Sequence, residues 1–180
     1  MFFTKRYNIP GVKVYEYAKI QGIKNIEFGK NIIIDSYAFI YAYKKIKIGS
    51  NVLIASFVFI SGGDEVEIGD YVGIFHGAKI YASSDDFKTW GFGNPTIPDK
   101  YRNPKRSPIK IERFAVVGAN SVVLPGVTIG EGATVGACSV VTRSLDPWGI
   151  YIGNRKIGER KKEDLMANYE RYLKEFQTWK

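Results

Sequence analysis

Residues 116 to 154 read VVGANSVVLPGVTIGEGATVGACSVVTRSLDPWGIYIGN, and the spacing of their β-branched residues decides the fold. Val117, Val123, Ile129, Val135 and Val141 recur at every sixth position, and Ile111 begins the series. Four positions after the successive anchors stand Ala115, Ser121, Val127, Ala133, Ser139 and Leu145. The two columns alternate inward as strand residues do, which a helical period would not produce. Short strands therefore turn a corner every six residues, and three corners close a coil of 18. Stacked coils pair each strand with those above and below at roughly 4.8 Å, and the body is a triangular prism.

Upstream the same logic holds with a longer period. Phe28-Gly29, Ile48-Gly49 and Ile68-Gly69 fall in step at 20 residues, as do Ile34, Ile54 and Ile74, and then Ile40, Ile60 and Ile80. Ile32, Ala38, Val52, Val58, Val72 and Ala78 form the companion column. Val14, Ala18 and Ile20 carry the register toward the N-terminus until Asn8 interrupts it, so an irregular first coil is expected.

Composition agrees with strands: 22 Ile and 14 Val stand against 5 Leu. A chain of 180 residues, 45% hydrophobic and 24% charged, can bury one core, and disorder and collagen-like order are excluded. One Cys closes no disulfide within the chain, and with a single His it builds no structural zinc site of the usual type, so no metal is expected. No apolar run is long enough to span a bilayer, and MFFTKRYNIP lacks the marks of a signal peptide, so a soluble cytoplasmic protein is expected. The formal charge of +8 suits an anionic partner.

Two segments leave the prism. Residues 81–110, YASSDDFKTWGFGNPTIPDKYRNPKRSPIK, lose the register and carry four Pro, which marks a long excursion loop of the kind that is functional or disordered. After Pro147, Leu165, Met166, Tyr169, Tyr172, Leu173 and Phe176 recur at three-and-four spacing, the apolar face of a helix that needs a surface to cover. The expected organisation is a β-helix domain over residues 1–158, with the excursion at 81–110, and a C-terminal helix over 159–180.

This pattern resembles the hexapeptide-repeat acyltransferases, whose prism is a left-handed parallel β-helix; the left hand is implied by the resemblance alone. Residues 116 to 154 are similar to the terminal coils of sugar O- and N-acetyltransferases of bacterial surface-polysaccharide biosynthesis. The loop string SSDDF, with Asn94-Pro95 and Ile97-Pro98, is similar to the same subgroup. Where that family reads GNPAK, this chain reads Gly153-Asn154-Arg155-Lys156, a departure at the local turn. The resemblance implies a mainly β fold of about six coils, a homotrimer, acetyl-CoA in a groove between two prisms, and an acceptor site shaped by the loop.

Stacking adds a site to this. If the excursion returns to the next face in order, Ile34, Ile54, Ile74, Val117 and Val135 share one face, and Ser36, Ser56, His76, Ala119 and Ala137 share the edge beside it. Small residues at Ala119 and Ala137 leave backbone groups open to an extended pantetheine arm, or are simple edge packing. His76 then meets the thioester as general base, taking a proton from the acceptor; the bland alternative is a corner histidine, and some amino-sugar N-acetyltransferases of the family manage without such a base. Asp85 and Asp86 either bind sugar hydroxyls and orient the imidazole or cap a turn. Trp90 and Tyr101, with Phe92, offer stacking surfaces to a sugar or nucleobase, or cover the prism. Arg155 and Lys156 head a basic run, with Arg160, Lys161 and Lys162, that suits CoA phosphates or a solvated face.

Two signals carry nothing. Gly130, Gly132 and Gly136 sit in the hexad register rather than in a strand-turn-helix. Cys138 lies two coil steps from His76, roughly 10 Å, too far for a hydrogen-bonded pair. The leading reading is an acetyl-CoA-dependent N-acetyltransferase acting on a nucleotide-linked amino sugar. Acetylation of a saccharide hydroxyl and a non-catalytic scaffold are the alternatives, and nucleic-acid binding from charge alone is weaker.

Overall fold

The computed structural model describes residues 7–177; the outer ends of the two expected domains, residues 1–6 and 178–180, lie outside the described residues. The chain winds as a left-handed parallel β-helix. Its first face is an eight-stranded sheet whose parallel members run from Val12–Val14 through Ile32–Ile34, Leu53–Ile54, Gly73–Ile74, Val116–Val117 and Thr134–Val135 to Gly149–Ile152. The second face has six strands, from Lys19–Gln21 to Val140–Val141, and the third has five, from Ile26–Phe28 to Thr128–Ile129. The six coils expected are thus those of the second face, and the first face runs one parallel strand further.

Register follows the anchors. Ile34 opposes Ile54, Ile54 opposes Ile74, Ile74 opposes Val117, and Val117 opposes Val135, so the excursion does return to the next face in order. Every anchor and companion named above from Val14 onward, Phe28 apart, is buried, and Ile34, Ile54 and Ile74 are 0% exposed. Each such isoleucine contributes about 1.5–3 kcal/mol from burial, an upper figure because unfolded chains are partly compact. Ser121 and Ser139 are the polar members of the companion column. The Ser121 hydroxyl donates to the Gly136 carbonyl at 2.9 Å, and the Ser139 hydroxyl accepts the Gly153 N–H at 2.9 Å, so both tie one coil to the next. Tyr7 covers the upper end, its hydroxyl accepting the Ile20 N–H at 2.9 Å, and buried Tyr151 fills the lower end.

Three edges organise the rest. The edge between the first and second faces carries His76 and is called here the histidine edge. The excursion leaves from the edge between the second and third faces, after Lys79–Tyr81, and rejoins at Ile109–Ile111, so it is slightly shorter than the sequence pattern suggests. The edge between the third and first faces is covered by the C-terminal helix, Lys162–Gln177. That helix begins at Lys162 and not at the expected 159, because Arg155–Glu159 folds back as an antiparallel strand on Gly149–Ile152.

The helix climbs its edge on aromatic rings. Tyr169 meets Tyr71 and Phe114 edge to face at 5.2 and 5.1 Å, and the Arg113 guanidinium lies 4.3 Å from the Phe114 ring and 4.6 Å from that of Tyr169. Burial and a hydrogen bond with Tyr169 push the Tyr71 phenol up to about 12. Arg160, at the foot of the helix, donates to the Phe114 carbonyl at 2.7 Å and the Gly132 carbonyl at 3.3 Å, and burial lowers its pKa. Among the described residues no helix is long and apolar enough to cross a membrane.

Outward residues differ by face. The third face alternates charge, with Lys45–Glu27 at 2.9 Å, Lys47–Glu67 at 3.8 Å and Lys110–Glu112 at 3.0 Å. Ile54→Ala should therefore cost about 2–5 kcal/mol of unfolding free energy. Glu67→Ala should cost under about 1 kcal/mol, because its partner is solvent-screened. Denaturant unfolding of the two variants measures the contrast, and equal losses would mean that the inward column does not carry the stability.

Candidate active site

His76 is exposed on the histidine edge. It stands two residues past Ile74, and the registers of Ile74 with Val117 and of Val117 with Val135 put Ala119 and Ala137 in the same slot on the following coils. Val135 in turn opposes Tyr151, so Gly153 continues the slot, a member the six-residue pattern does not reveal because the last coil is shorter. The result is a smooth strip without long side chains below the histidine.

Its backbone is partly open. The Asn120 N–H donates to the His76 carbonyl and the Cys138 N–H to the Ala119 carbonyl, both within 2.9 Å. Among the described residues the amides of Ala119 and Ala137 have no hydrogen-bond partner. They are donors left open on this edge, available to the carbonyl oxygens of an extended ligand. Cys138 is exposed beside them.

The strip ends at a turn. The Asn154 side chain accepts the Thr142 N–H at 3.0 Å and donates to the Thr142 hydroxyl at 2.6 Å, which fixes the segment that departs from the GNPAK pattern. Arg155 follows, exposed and without an ion pair among the described residues, whereas Lys156 pairs with Glu159 at 2.8 Å. The hydrogen bond to Glu159 raises the Lys156 pKa.

The excursion is an ordered element. Ser83–Ser84 pairs antiparallel with Lys105–Arg106 to form its stem. Asp86 is its hub: the carboxylate accepts the N–H groups of Lys88, Thr89 and Gly91 and the Thr89 hydroxyl. Asp85 binds Arg102 at 2.7 Å, and Arg102 also reaches Asp99 at 3.1 Å. Both acids are thus engaged within the loop, the capping alternative for Asp86 and an ion pair for Asp85. Trp90 and Tyr101, 66% and 49% exposed, stand outside the cleft that the loop creates.

That cleft, of about 620 Å³, lies between the loop and the second face and is lined by Tyr41, Tyr43, Ser61, Tyr81, Arg102 and Arg106 among others. The sequence carries a signal for its floor: Tyr41, Ser61 and Tyr81 each follow an anchor by one and oppose one another across the strands. His76 and the loop occupy opposite edges of the second face, so the fold brings His76, Ala119 and Ala137 together but leaves Asp85, Asp86, Trp90 and Tyr101 apart from them.

Comparison with known proteins gives this geometry a family. The family model for the bacterial transferase hexapeptide, six repeats, matches residues 108–143. The chain is 32% identical over 157 residues to the dTDP-4-amino-4,6-dideoxy-D-glucose acyltransferase of Escherichia coli, covering 86% of this chain and 82% of the relative. A crystal structure of a variant of AntD, an N-acyltransferase from Bacillus cereus, in complex with dTDP-4-amino-4,6-dideoxyglucose and coenzyme A superposes with a TM-score of 0.86 at 36% identity, covering 92% of this chain and 89% of that one. A hexapeptide-repeat acetyltransferase from Vibrio cholerae in complex with acetyl-CoA superposes with a TM-score of 0.64 at 26% identity, covering 75% and 71%. The chain belongs to the hexapeptide-repeat acyltransferases.

The Asp86 hub makes the loop acid-sensitive. Its hydrogen bonds, first that from Thr89, hold the Asp86 carboxyl well below the usual carboxylate range. A lowered folded pKa gives stability that is complete above the unfolded value, about 3.9, and lost as pH falls toward the folded one. Protection of the amides at residues 87–91, measured against their intrinsic exchange rates, should therefore fall below about pH 4, and Asp86→Ala should show fast exchange already at pH 7. Protection of these amides in the variant at neutral pH would show that the hub does not order the loop.

Proposed function

We propose that the protein transfers the acetyl group of acetyl-CoA to the amine of a nucleotide-linked amino sugar. The observation that carries this is the strip from His76 through Ala119, Ala137 and Gly153, with its unpartnered amides, ending at Arg155. Pantetheine lies along the strip with its amides on those of Ala119 and Ala137, and Arg155 takes a phosphate, with Lys156 in support. The amine of the acceptor attacks the thioester carbon. The His76 imidazole accepts the proton that the nitrogen loses and passes it to the departing thiolate as the tetrahedral intermediate collapses to amide and free thiol. Likeness over nearly the whole chain to N-acyltransferases supports an amine over a hydroxyl acceptor, and the open groove is more than an inert scaffold needs. Both substrates are soluble anions, consistent with a cytoplasmic enzyme.

The working unit is a homotrimer in this reading. Tyr17, Tyr37 and Phe57 stack along the histidine edge at 5.2 Å spacing and are 70%, 52% and 62% exposed. All three have positive φ, of 66°, 63° and 62°, a conformation that costs a bulky residue about 1–2 kcal/mol. Tyr71, Phe114 and Trp148 share that conformation on the opposite edge, where the helix covers them. The uncovered ladder, flanked by Leu53, Phe39 and Phe59 on the two adjoining faces, fits a second copy. A neighbour also supplies the excursion that the His76 edge of one chain lacks. Residues 81–110 thus serve the acceptor in this reading, with the domain limits at 1–158 and 159–180 kept as proposed.

Incubation with acetyl-CoA and amino sugars, free and nucleotide-linked, should release thiol and add an acetyl mass only with the linked forms. No turnover with any amine would remove the reading. His76→Ala should lower kcat about 10²- to 10⁴-fold with CoA affinity little changed. If kcat is retained, the departing thiolate takes the proton instead. Tyr37→Ser should shift sedimentation from trimer toward monomer, whereas an unchanged trimer would place the seam elsewhere.

A further inference from the structure

We infer that the Lys79 ammonium selects the neutral form of the acceptor's amine, which rests on the amine transfer proposed above and names the group that sets the protonation state of the bound nucleophile. Lys79 points outward from the second face, on the strand that leaves the histidine edge. Its Nζ folds back to donate to the Gly77 carbonyl at 2.8 Å, one residue from the imidazole. Other lysines of the prism are engaged differently. Lys45, Lys47 and Lys110 pair with glutamates on the third face, and Lys19, in the same column as Lys79, lies 5.2 Å from the Phe39 ring. Lys79 is half-buried and has no ion pair among the described residues. The Gly77 carbonyl holds its charge in place without neutralising it.

Little else at this corner carries charge. Gly77 puts no side chain between the ammonium and His76, and a Cβ there would run into the Asn120 Oδ1. The coil above presents Ser56, Phe57 and Phe59, and the coil below presents Ala119, Asn120 and Val122. In these columns the first acid above is Asp35, two coils up at roughly 10 Å. On the excursion, Asp85 and Asp99 are turned to Arg102, and Asp86 is bound by the loop's own amides. His76 and Lys79 are thus the ionisable groups that face the reacting atoms. An aliphatic amine is largely ammonium in neutral water, and an ammonium has no lone pair with which to attack a thioester. Beside a second positive charge the bound amine sheds its proton at lower pH than the free one, by about one unit at the dielectric of a protein surface. A hydroxyl acceptor carries no such proton, so the arrangement serves amine transfer.

Calorimetry on the full chain, in buffers of different ionisation enthalpy, counts the protons released when a sugar nucleotide binds. The probes are an amine-bearing sugar nucleotide that the protein acetylates and its hydroxyl analogue, at about one pH unit below the amine's own pKa, where about nine-tenths of it is ammonium. Wild type should release close to one proton per amine bound and none with the hydroxyl analogue. Lys79→Met should release less than about half of that, and Lys79→Arg should restore it. In turnover at the same pH, Lys79→Met should lower kcat and KM together, by up to about tenfold, with kcat/KM nearly constant, because the ammonium form then binds without reacting. Equal proton release by wild type and Lys79→Met, with acetylation intact, would overturn the role of Lys79 and leave the transferase reading standing. A fall in kcat/KM with proton release unchanged would overturn it as well, by reducing Lys79 to a support for the Gly77 corner. Weaker binding of the hydroxyl analogue to Lys79→Met would do the same, by making the lysine a contact for the anionic end of the acceptor. Absence of any amine acetylation in wild type would remove the two readings together.

Discussion

Coil-to-coil spacing is the constraint on which the rest of this protein depends. Each residue lies under its equivalent in the coil above at roughly 4.8 Å, so a slot accepts only what its neighbours in the stack permit. Gly29 and Gly49 show this where the third face turns into the helix edge. A Cβ at Gly29 would lie 2.6 Å from the Gly49 carbonyl carbon, and one at Gly49 would lie 2.7 Å from that of Gly69. The Phe28-Gly29, Ile48-Gly49 and Ile68-Gly69 steps repeat because the backbone passes too close there for any side chain. The same constraint puts His76 in line with Ala119 and Ala137, residues distant in sequence.

Two edges of one prism answer the same conformational demand differently. At every corner of the histidine and helix edges a residue sits at positive φ, and glycine or asparagine would take it most cheaply. Asn31 and Asn51 do so on the helix edge in the coils above Tyr71, and Asn120 does so on the histidine edge below the ladder. Aromatic rings replace them where something packs on top: Phe114 and Tyr71 under Tyr169, and Trp148 under Lys162. Tyr17, Tyr37 and Phe57 follow the rule of the covered rings while exposed within one chain, and this asymmetry is the physical basis for expecting a neighbour there.

The inward half of this structure was legible in the sequence, and the outward half was not. Ile34, Ile54, Ile74, Val117 and Val135 could be aligned by counting, because burial selects β-branched residues at fixed intervals and the edge slot follows two residues later. Counting also located the excursion, since losing the register is itself a signal. It could not show that Asp86 binds three backbone amides, which depends on how residues 87–91 fold around it. Nor could it separate Trp90 and Tyr101, which stand away from the cleft, from Tyr41 and Tyr81, which line it. Aromatic composition is the same in both pairs, and only the stem of Ser83–Ser84 with Lys105–Arg106 decides which rings face the cavity. Arg155–Glu159 escaped because an antiparallel return has no place in a six-residue repeat.

The net figure of +8 conceals how differently the basic residues are engaged. On the third face lysines and glutamates meet in pairs, so that surface contributes little net field. In the basic run after the prism, Lys156 is paired with Glu159, Arg160 is turned inward onto carbonyls, and Lys161 lies 4.0 Å from Asp164. Arg155, without an ion pair among the described residues, follows the strip below His76, and Arg106, likewise unpaired, lines the loop cleft. Exposed pairs are screened by solvent and salt, whereas an unpaired guanidinium set in a concave wall keeps its field for an incoming anion. From Ala119 to Gly153 the corner slots of the histidine edge carry no ionic side chain, so a neutral amine and a thioester would lose least there by leaving water.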